Sequence, residues 1–206
     1  MATVLHELLR SRTALHHRRV EALPCMARLL RADYQLDEYR ALLLRYQRAY
    51  RLLEERLQAP LMESGAVPDL LLRIKTPLLI HDLTHVGAGL DYLPTEDAMQ
   101  PLWLSSPARA LGTLYVLEGA TLGGRIIARH LAASLDVGPQ AGASFFHAYG
   151  TERGRMWRAF LAHLEVFGQA HPASTDEVVA GACSTFDYLH TWLSARPLSR
   201  ISTLAA

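Results

Sequence analysis

SPARALGTLYVLEGATLGGRIIARHLAASL, residues 106 to 135, is the stretch on which the fold turns. It reads as one long helix, with Ser106 as a candidate N-cap, yet Gly112, Gly119, Gly123 and Gly124 lie inside it. Each glycine costs a helix about 1 kcal/mol relative to alanine, so something has to offset the set. A mid-helix glycine permits either a bend or the close approach of another body to bare backbone, and the adjacent pair Gly123-Gly124 favours a bend without excluding contact. Gly119 and Gly123 also share a GxxxG spacing. Two readings follow: tight packing of helix on helix, or a flat ligand lying on a kinked backbone.

Working outward, the periodicity is helical almost everywhere. From Tyr39 to Leu57 the residues Tyr39, Leu43, Tyr46, Tyr50, Leu53 and Leu57 recur at steps of three or four, which predicts one buried stripe. Alternating β-branched runs are nearly absent, and the fold class expected is all-α. Helix breaks are expected at Ala59-Pro60, Gly65 to Pro68, Leu93-Pro94, Ser106-Pro107, Gly138-Pro139 and His171-Pro172, with Asp37 and Ser174 as further candidate N-caps. These predict seven or eight helices in a single domain spanning residues 1–206, with an ordered core of about 3–196 and no interdomain linker.

Composition narrows the function. A chain of 206 residues that is 50% hydrophobic can bury a full core, and 21 basic against 20 acidic side chains leave no surface that would track nucleic acid. Cys25 and Cys183 are far apart and lack CxxC spacing, which fits two small buried thiols in a reducing compartment. The first residues show no apolar run with a cleavage signature, and no stretch is apolar for long enough to span a bilayer, so a cytoplasmic location away from membranes is expected.

Two histidine patterns carry chemistry. In TALHHRRVE, His17 falls one turn after Thr13 and one turn before Glu21, so the three share a helix face. An imidazole that binds metal through one nitrogen usually gives its other N–H to an acceptor, a role open to Glu21 directly or through water. His16 points about 100° away. In HDLTH, His81 and His85 stand at i and i+4, as in helical zinc sites, but the residue after the first histidine is Asp82 rather than glutamate and no third ligand follows at familiar spacing.

Taken together, these segments resemble the heme oxygenase family, and its bacterial members most. His17, four residues after Thr13, matches the axial ligand on the proximal helix. LYVLEGATLGGRII, from Leu114 to Ile127, is similar to the kinked distal helix, with Gly119, Gly123 and Gly124 on the family's glycines. Tyr34 to Leu57 resembles the long second helix and His81 to Gly87 the one after it. Arg10 and Arg155 resemble residues that meet the heme propionates, and Phe186 an aromatic wall. The GATLGG form is closest to the bacteriophytochrome-associated subgroup. One departure matters: Ala120 stands where the animal enzymes hold an aspartate that organises distal water. The resemblance implies that backbone carbonyls near Gly119 and Ala120, with Thr121, hold that water instead.

What the resemblance implies is a bundle with heme b between an N-terminal proximal helix and a glycine-rich distal one. Heme would be both substrate and cofactor, its iron held by His17, and it would be cleaved with O₂ to biliverdin, CO and iron. Electrons would come from an external donor, a ferredoxin, reductase or ascorbate, and the product could serve a bilin-using photoreceptor. Arginines at the propionates would fix in-plane rotation and hence the carbon attacked. Three other readings remain open: a heme carrier or sensor on the same fold with a disabled distal side, a zinc hydrolase built on His81 and His85, and the related helical fold that serves thiamin hydrolysis.

Overall fold

The structure is a computed structural model describing residues 4–88 and 100–194. Among these residues seven α-helices form: α1 (Val4–Glu21), α2 (Pro24–Leu29), α3 (Leu36–Ser64), α4 (Thr76–His85), α5 (Pro107–Leu135), α6 (Arg153–Ala170) and α7 (Thr175–Ser194). Short 3₁₀ turns lie at Leu70–Arg73, Gly150–Glu152 and Pro172–Ser174. Only isolated bridges around Gly138, Ala141 and Gly142 depart from helix and loop, so the all-α class holds.

The stripe on α3 is buried as its spacing predicts: Tyr39, Leu43, Tyr50, Leu53 and Leu57 are fully covered, and Tyr46 nearly so. Two expectations about this helix fail. Asp37 is not its N-cap; Gln35 is, in a capping box with Glu38, while Asp37 sits in the first turn and pairs with Arg40 at 2.8 Å. The backbone N–H of Gln35 finds the Glu38 carboxylate at 3.0 Å, so one reciprocal pair satisfies two orphan donors. Nor does the chain break at Ala59-Pro60. α3 runs through Pro60 because Leu57 and Leu61 on either side are wholly buried and hold the helix against the core, and it ends at Gly65, where φ is +64°. The break expected at Leu93-Pro94 lies outside the described residues. Ser106 caps α5, its hydroxyl accepting from the Arg109 N–H at 3.3 Å. Ser174 closes a 3₁₀ turn that leads directly into α7.

Two of the chain's glycines explain how α5 and α7 meet. A Cβ at Gly112 would overlap the Val178 carbonyl oxygen, and one at Gly181 would overlap that of Arg109. Bare backbone on both helices lets the axes approach closely, and the buried Thr185 hydroxyl donates to Thr113 at 2.8 Å across the contact. The bond from Ser106 to Glu177, 2.8 Å, lies earlier on both helices, so α5 and α7 run the same way. α1 also follows α7: Leu5 packs on Gly168 at the end of α6, just before α7 begins, and His17 and Arg19 reach Phe186 and Asp187 further on. Two parallel helices, α1 and α5, therefore flank α7, each packed on it rather than on the other.

Candidate functional site between α1 and α5

The two flanking helices meet at Tyr115. His6, Arg10, Thr13 and His17 form a stripe on α1 at helical spacing, and its first half meets α5 and α6. The His6 ring lies 6.1 Å from Tyr115 and 5.7 Å from Trp157, and Thr13, whose hydroxyl donates to the Leu9 carbonyl at 2.7 Å, lies near the Tyr115 hydroxyl. Burial raises the Tyr115 hydroxyl pKa, and the nearby Arg10 charge and Thr13 work against that rise. Because α1 and α5 run in the same direction, the next turn beyond this contact carries His17 on one helix and Gly119 on the other.

Beyond that point both faces are open. His17 is exposed, with Nδ1 3.1 Å from a Glu21 carboxylate oxygen, and Phe186 of α7 meets its ring edge-on at 5.7 Å. Across from them the glycines of α5 divide into two kinds. A Cβ at Gly119 would meet only the tip of Trp157, at 3.9 Å, and one at Gly123 would meet nothing within 4 Å. At Gly124 it would overlap the Phe146 carbonyl oxygen. Gly124, like Gly112, is bare so that protein can approach; Gly119 and Gly123 border open space, with the exposed Leu122 and Ile126 beside them. The close-packing reading of these glycines holds at Gly112 and Gly124, while Gly119 and Gly123 leave a stretch of α5 without protein against it.

Other expected residues are placed less simply. Ala120 is exposed on the flank of this face. Thr121 is not on it: two residues from Gly119 is about 200° around a helix, so its side chain is buried on the core side, where its hydroxyl donates to the Glu118 carbonyl at 2.7 Å. Arg10 is exposed and close enough to His6 and Tyr115 to affect both electrostatically. Arg155 is exposed and its charge is met by Glu152 in the preceding turn.

Sequence reading missed a second cationic group. Arg153 opens α6 one turn before Trp157; its Nε is buried with no hydrogen-bond partner, and its Nη2 reaches the Phe146 carbonyl only at 3.4 Å. Burial and the neighbouring Arg125 lower its pKa. Among the described residues neither arginine has a carboxylate partner. Positive charge on Arg153 and the neighbouring Arg125 is therefore left without a facing carboxylate among the described residues. Only the phase of α6, set by the 3₁₀ turn at Gly150–Glu152, turns Arg153 inward and Arg155 outward, and no signal in the RGRMWR run fixes that phase.

Behind the face lies a buried polar network, also missed. Glu118, next to Gly119, receives Arg73, Lys75 and the Tyr149 hydroxyl, the last at 2.7 Å. By contrast the HDLTH segment forms no metal centre. Asp82 is fully buried and accepts from Ser144 N, Ser144 Oγ and Phe145 N at 2.7–2.8 Å, while His81 and His85 are exposed. No group of three or more His, Cys, Asp or Glu able to hold a metal occurs among the described residues.

Residues 3–195 match the family described as Heme oxygenase. The chain belongs to the heme oxygenase family. A curated relative named Heme oxygenase, from Xanthomonas campestris pv. campestris (strain 8004), is 35% identical over 162 residues, covering 77% of this chain and 90% of the relative. Among solved structures, the NO- and CO-bound heme oxygenase from Neisseria meningitidis superposes with a TM-score of 0.77 at 22% identity, over 94% of this chain and 91% of that one. Heme oxygenase 2 from Chlamydomonas reinhardtii, solved without heme, gives 0.75 at 20% identity, over 95% and 99%. At these identities the structural likeness speaks for the heme oxygenase fold. Among the described residues no helix is long and apolar enough to cross a membrane.

Proposed function

We propose that this chain cleaves heme b with O₂ and externally supplied electrons to biliverdin, CO and iron, and that heme lies between α1 and α5 with His17 on the iron. The observation that carries this is the pairing of an exposed, carboxylate-backed imidazole with a Cβ-free helix face one turn beyond the Thr13–Tyr115 contact. With Nδ1 turned to Glu21, Nε2 is left to bind a metal, and the carboxylate makes the ligand more basic. Glycines 119 and 123 leave room for a flat ring against backbone, Leu122, Ile126 and Phe186 give it apolar surroundings, and Arg153, Arg125 and Arg10 supply counter-charges for propionates. Heme, once bound, supplies the iron at which oxygen is activated.

The chain's own part is positioning and proton handling. Glu21 holds a proton at His17 Nδ1 and so fixes the tautomer. Tyr115, Trp157 and Phe186 exclude bulk water. Because the Thr121 hydroxyl is already used on Glu118, backbone carbonyls near Gly119 and Ala120 are the acceptors left to hold a distal water, with Gly124 contributing by keeping α5 close to Phe146. The name of the Xanthomonas relative supports the activity. The GATLGG form of α5 favours a bacteriophytochrome-associated role, with the product passing to a bilin-using photoreceptor, a ferredoxin, reductase or ascorbate as donor, and a cytoplasmic location.

The test is to add hemin to the purified protein, record the spectrum, then supply ascorbate or a ferredoxin system in air with catalase present, for wild type and His17→Ala. A histidine-type Soret band that decays into a broad red biliverdin band, with the spectrum altered and turnover lost in His17→Ala, is the expected result. A Soret band that survives repeated reduction would make the chain a heme carrier or sensor instead.

A further inference from the structure

Glu118 and Tyr149 are joined by a hydrogen bond that the chemistry at the glycine face does not itself use. Glu118 precedes Gly119 by one residue, so its side chain leaves α5 about 100° away from the open face. It is almost wholly buried, and its Oε1 accepts from the Tyr149 hydroxyl at 2.7 Å and from the Lys75 ammonium, its Oε2 from Arg73. Arg73 also binds Asp69 through two bonds of 2.8 and 2.7 Å and donates to the Met156 carbonyl of α6 at 3.2 Å. Two cations face two carboxylates, so the charges balance without Tyr149. What the hydroxyl adds is an attachment for the segment leading into α6.

That attachment is held against backbone strain. Tyr149 has φ +66°, a left-handed conformation that is strained for a non-glycine residue. Glycine would adopt it freely, so the tyrosine side chain must return the cost, through its bond to Glu118 and through its ring, over which Lys75 Nζ lies 5.1 Å from the centroid. Three residues earlier the Phe146 carbonyl rests against Gly124. The segment is thus pinned to α5 twice, at Gly124 by contact and at Glu118 by hydrogen bond. One pin would let it swing; two fix its direction. After the second pin come Arg153, whose Nη2 reaches the Phe146 carbonyl, and one turn later Trp157, whose ring tip borders Gly119.

We infer that Glu118 and Tyr149 act as a positioning latch, setting where Arg153 and Trp157 stand against the glycine face and so the in-plane orientation of a substrate ring that neither latch residue touches. The inference rests on the heme reading above. Its test uses the full chain loaded with hemin, wild type against Tyr149→Phe, with Thr185→Val as a control that removes a buried hydroxyl bond from the other flank of α5. The readouts are the heme-methyl proton shifts of the cyanide-inhibited ferric complex and the ratio of biliverdin isomers.

Tyr149→Phe removes the bond to Glu118 and a second one accepted from Lys75 at 3.2 Å, and is expected to shift the ratio of ring orientations, and of isomers with it, by at least about fivefold, the factor that a single lost hydrogen bond represents. Thr185→Val should lose stability and keep the wild-type ratio. Tyr149→Gly, which removes the backbone strain together with the hydroxyl, should fold and show the same shift as Tyr149→Phe. Unchanged methyl shifts and isomers in Tyr149→Phe, or an equal shift in Thr185→Val, would overturn the latch and leave the heme reading standing. Failure of the wild type to bind hemin would overturn both.

Discussion

Arg153 and Arg155 are two residues apart in sequence and about 200° apart around α6, and that angle decides which of them can serve an anion in the cleft. Arg155 is already neutralised by Glu152 and largely solvated, so its release to a propionate would cost an existing pair. Arg153 is held beside Arg125, half-buried, with a nitrogen that has no partner. A charge-assisted bond to such a group contributes about 1.5–3 kcal/mol, so Arg153→Ala should weaken hemin binding by about 10- to 100-fold and give mixed biliverdin isomers. Arg155→Ala should change the affinity by less than about threefold. Hemin titration followed by product chromatography separates the two. A clean isomer and full affinity in Arg153→Ala would return the propionate role to Arg155.

At the scale of the element, α5 was legible as a helix and its glycines as a demand for close approach, but not which glycine approaches what. The answer depends on neighbours distant in sequence: Val178 beside Gly112, Phe146 beside Gly124, open space beside Gly123. The same limit explains Thr121, whose place on the core side follows from the rotation of α5 once Leu114, Leu117 and Leu131 are buried. It also explains Pro60, where burial of Leu57 and Leu61 overrode a local helix-breaking signal. The two kinds of glycine should separate cleanly on substitution. Gly123→Ala adds a methyl to empty space and gains helix propensity, so the apo protein should keep its thermal midpoint or gain up to about 1 kcal/mol while hemin affinity falls. Gly124→Ala drives a methyl into the Phe146 carbonyl and should cost about 1–3 kcal/mol, or roughly 3–9 °C, before any ligand is added. Equal apo midpoints for the two variants would refute this division of α5.

Over the whole molecule, the sequence carried the hydrophobic stripes and the His17–Glu21 spacing because both are written in short-range order, and it hid the buried charges because they are not. Arg73, Lys75, Glu118 and Tyr149 come from three separated segments, and in isolation each reads as a surface residue. The same long-range assembly gives the protein a pH dependence. His6 and His147 both have pKa values lowered from 6.5, first by burial and then by a facing arginine, Arg10 for His6 and Arg153 for His147; Glu7 and Asp82 respectively act in the opposite direction. A base whose folded pKa is depressed takes up its proton more readily when unfolded, so its contribution to stability is complete above 6.5 and is lost as pH falls towards the folded value. The thermal midpoint of the apo protein should therefore decline as pH falls from 7 through 6.5 and below. His147→Gln, which removes one titrating site without touching the α1 stripe, should flatten that decline. A midpoint that is constant or rises over this window in the wild type would show that neither histidine is held neutral by its surroundings.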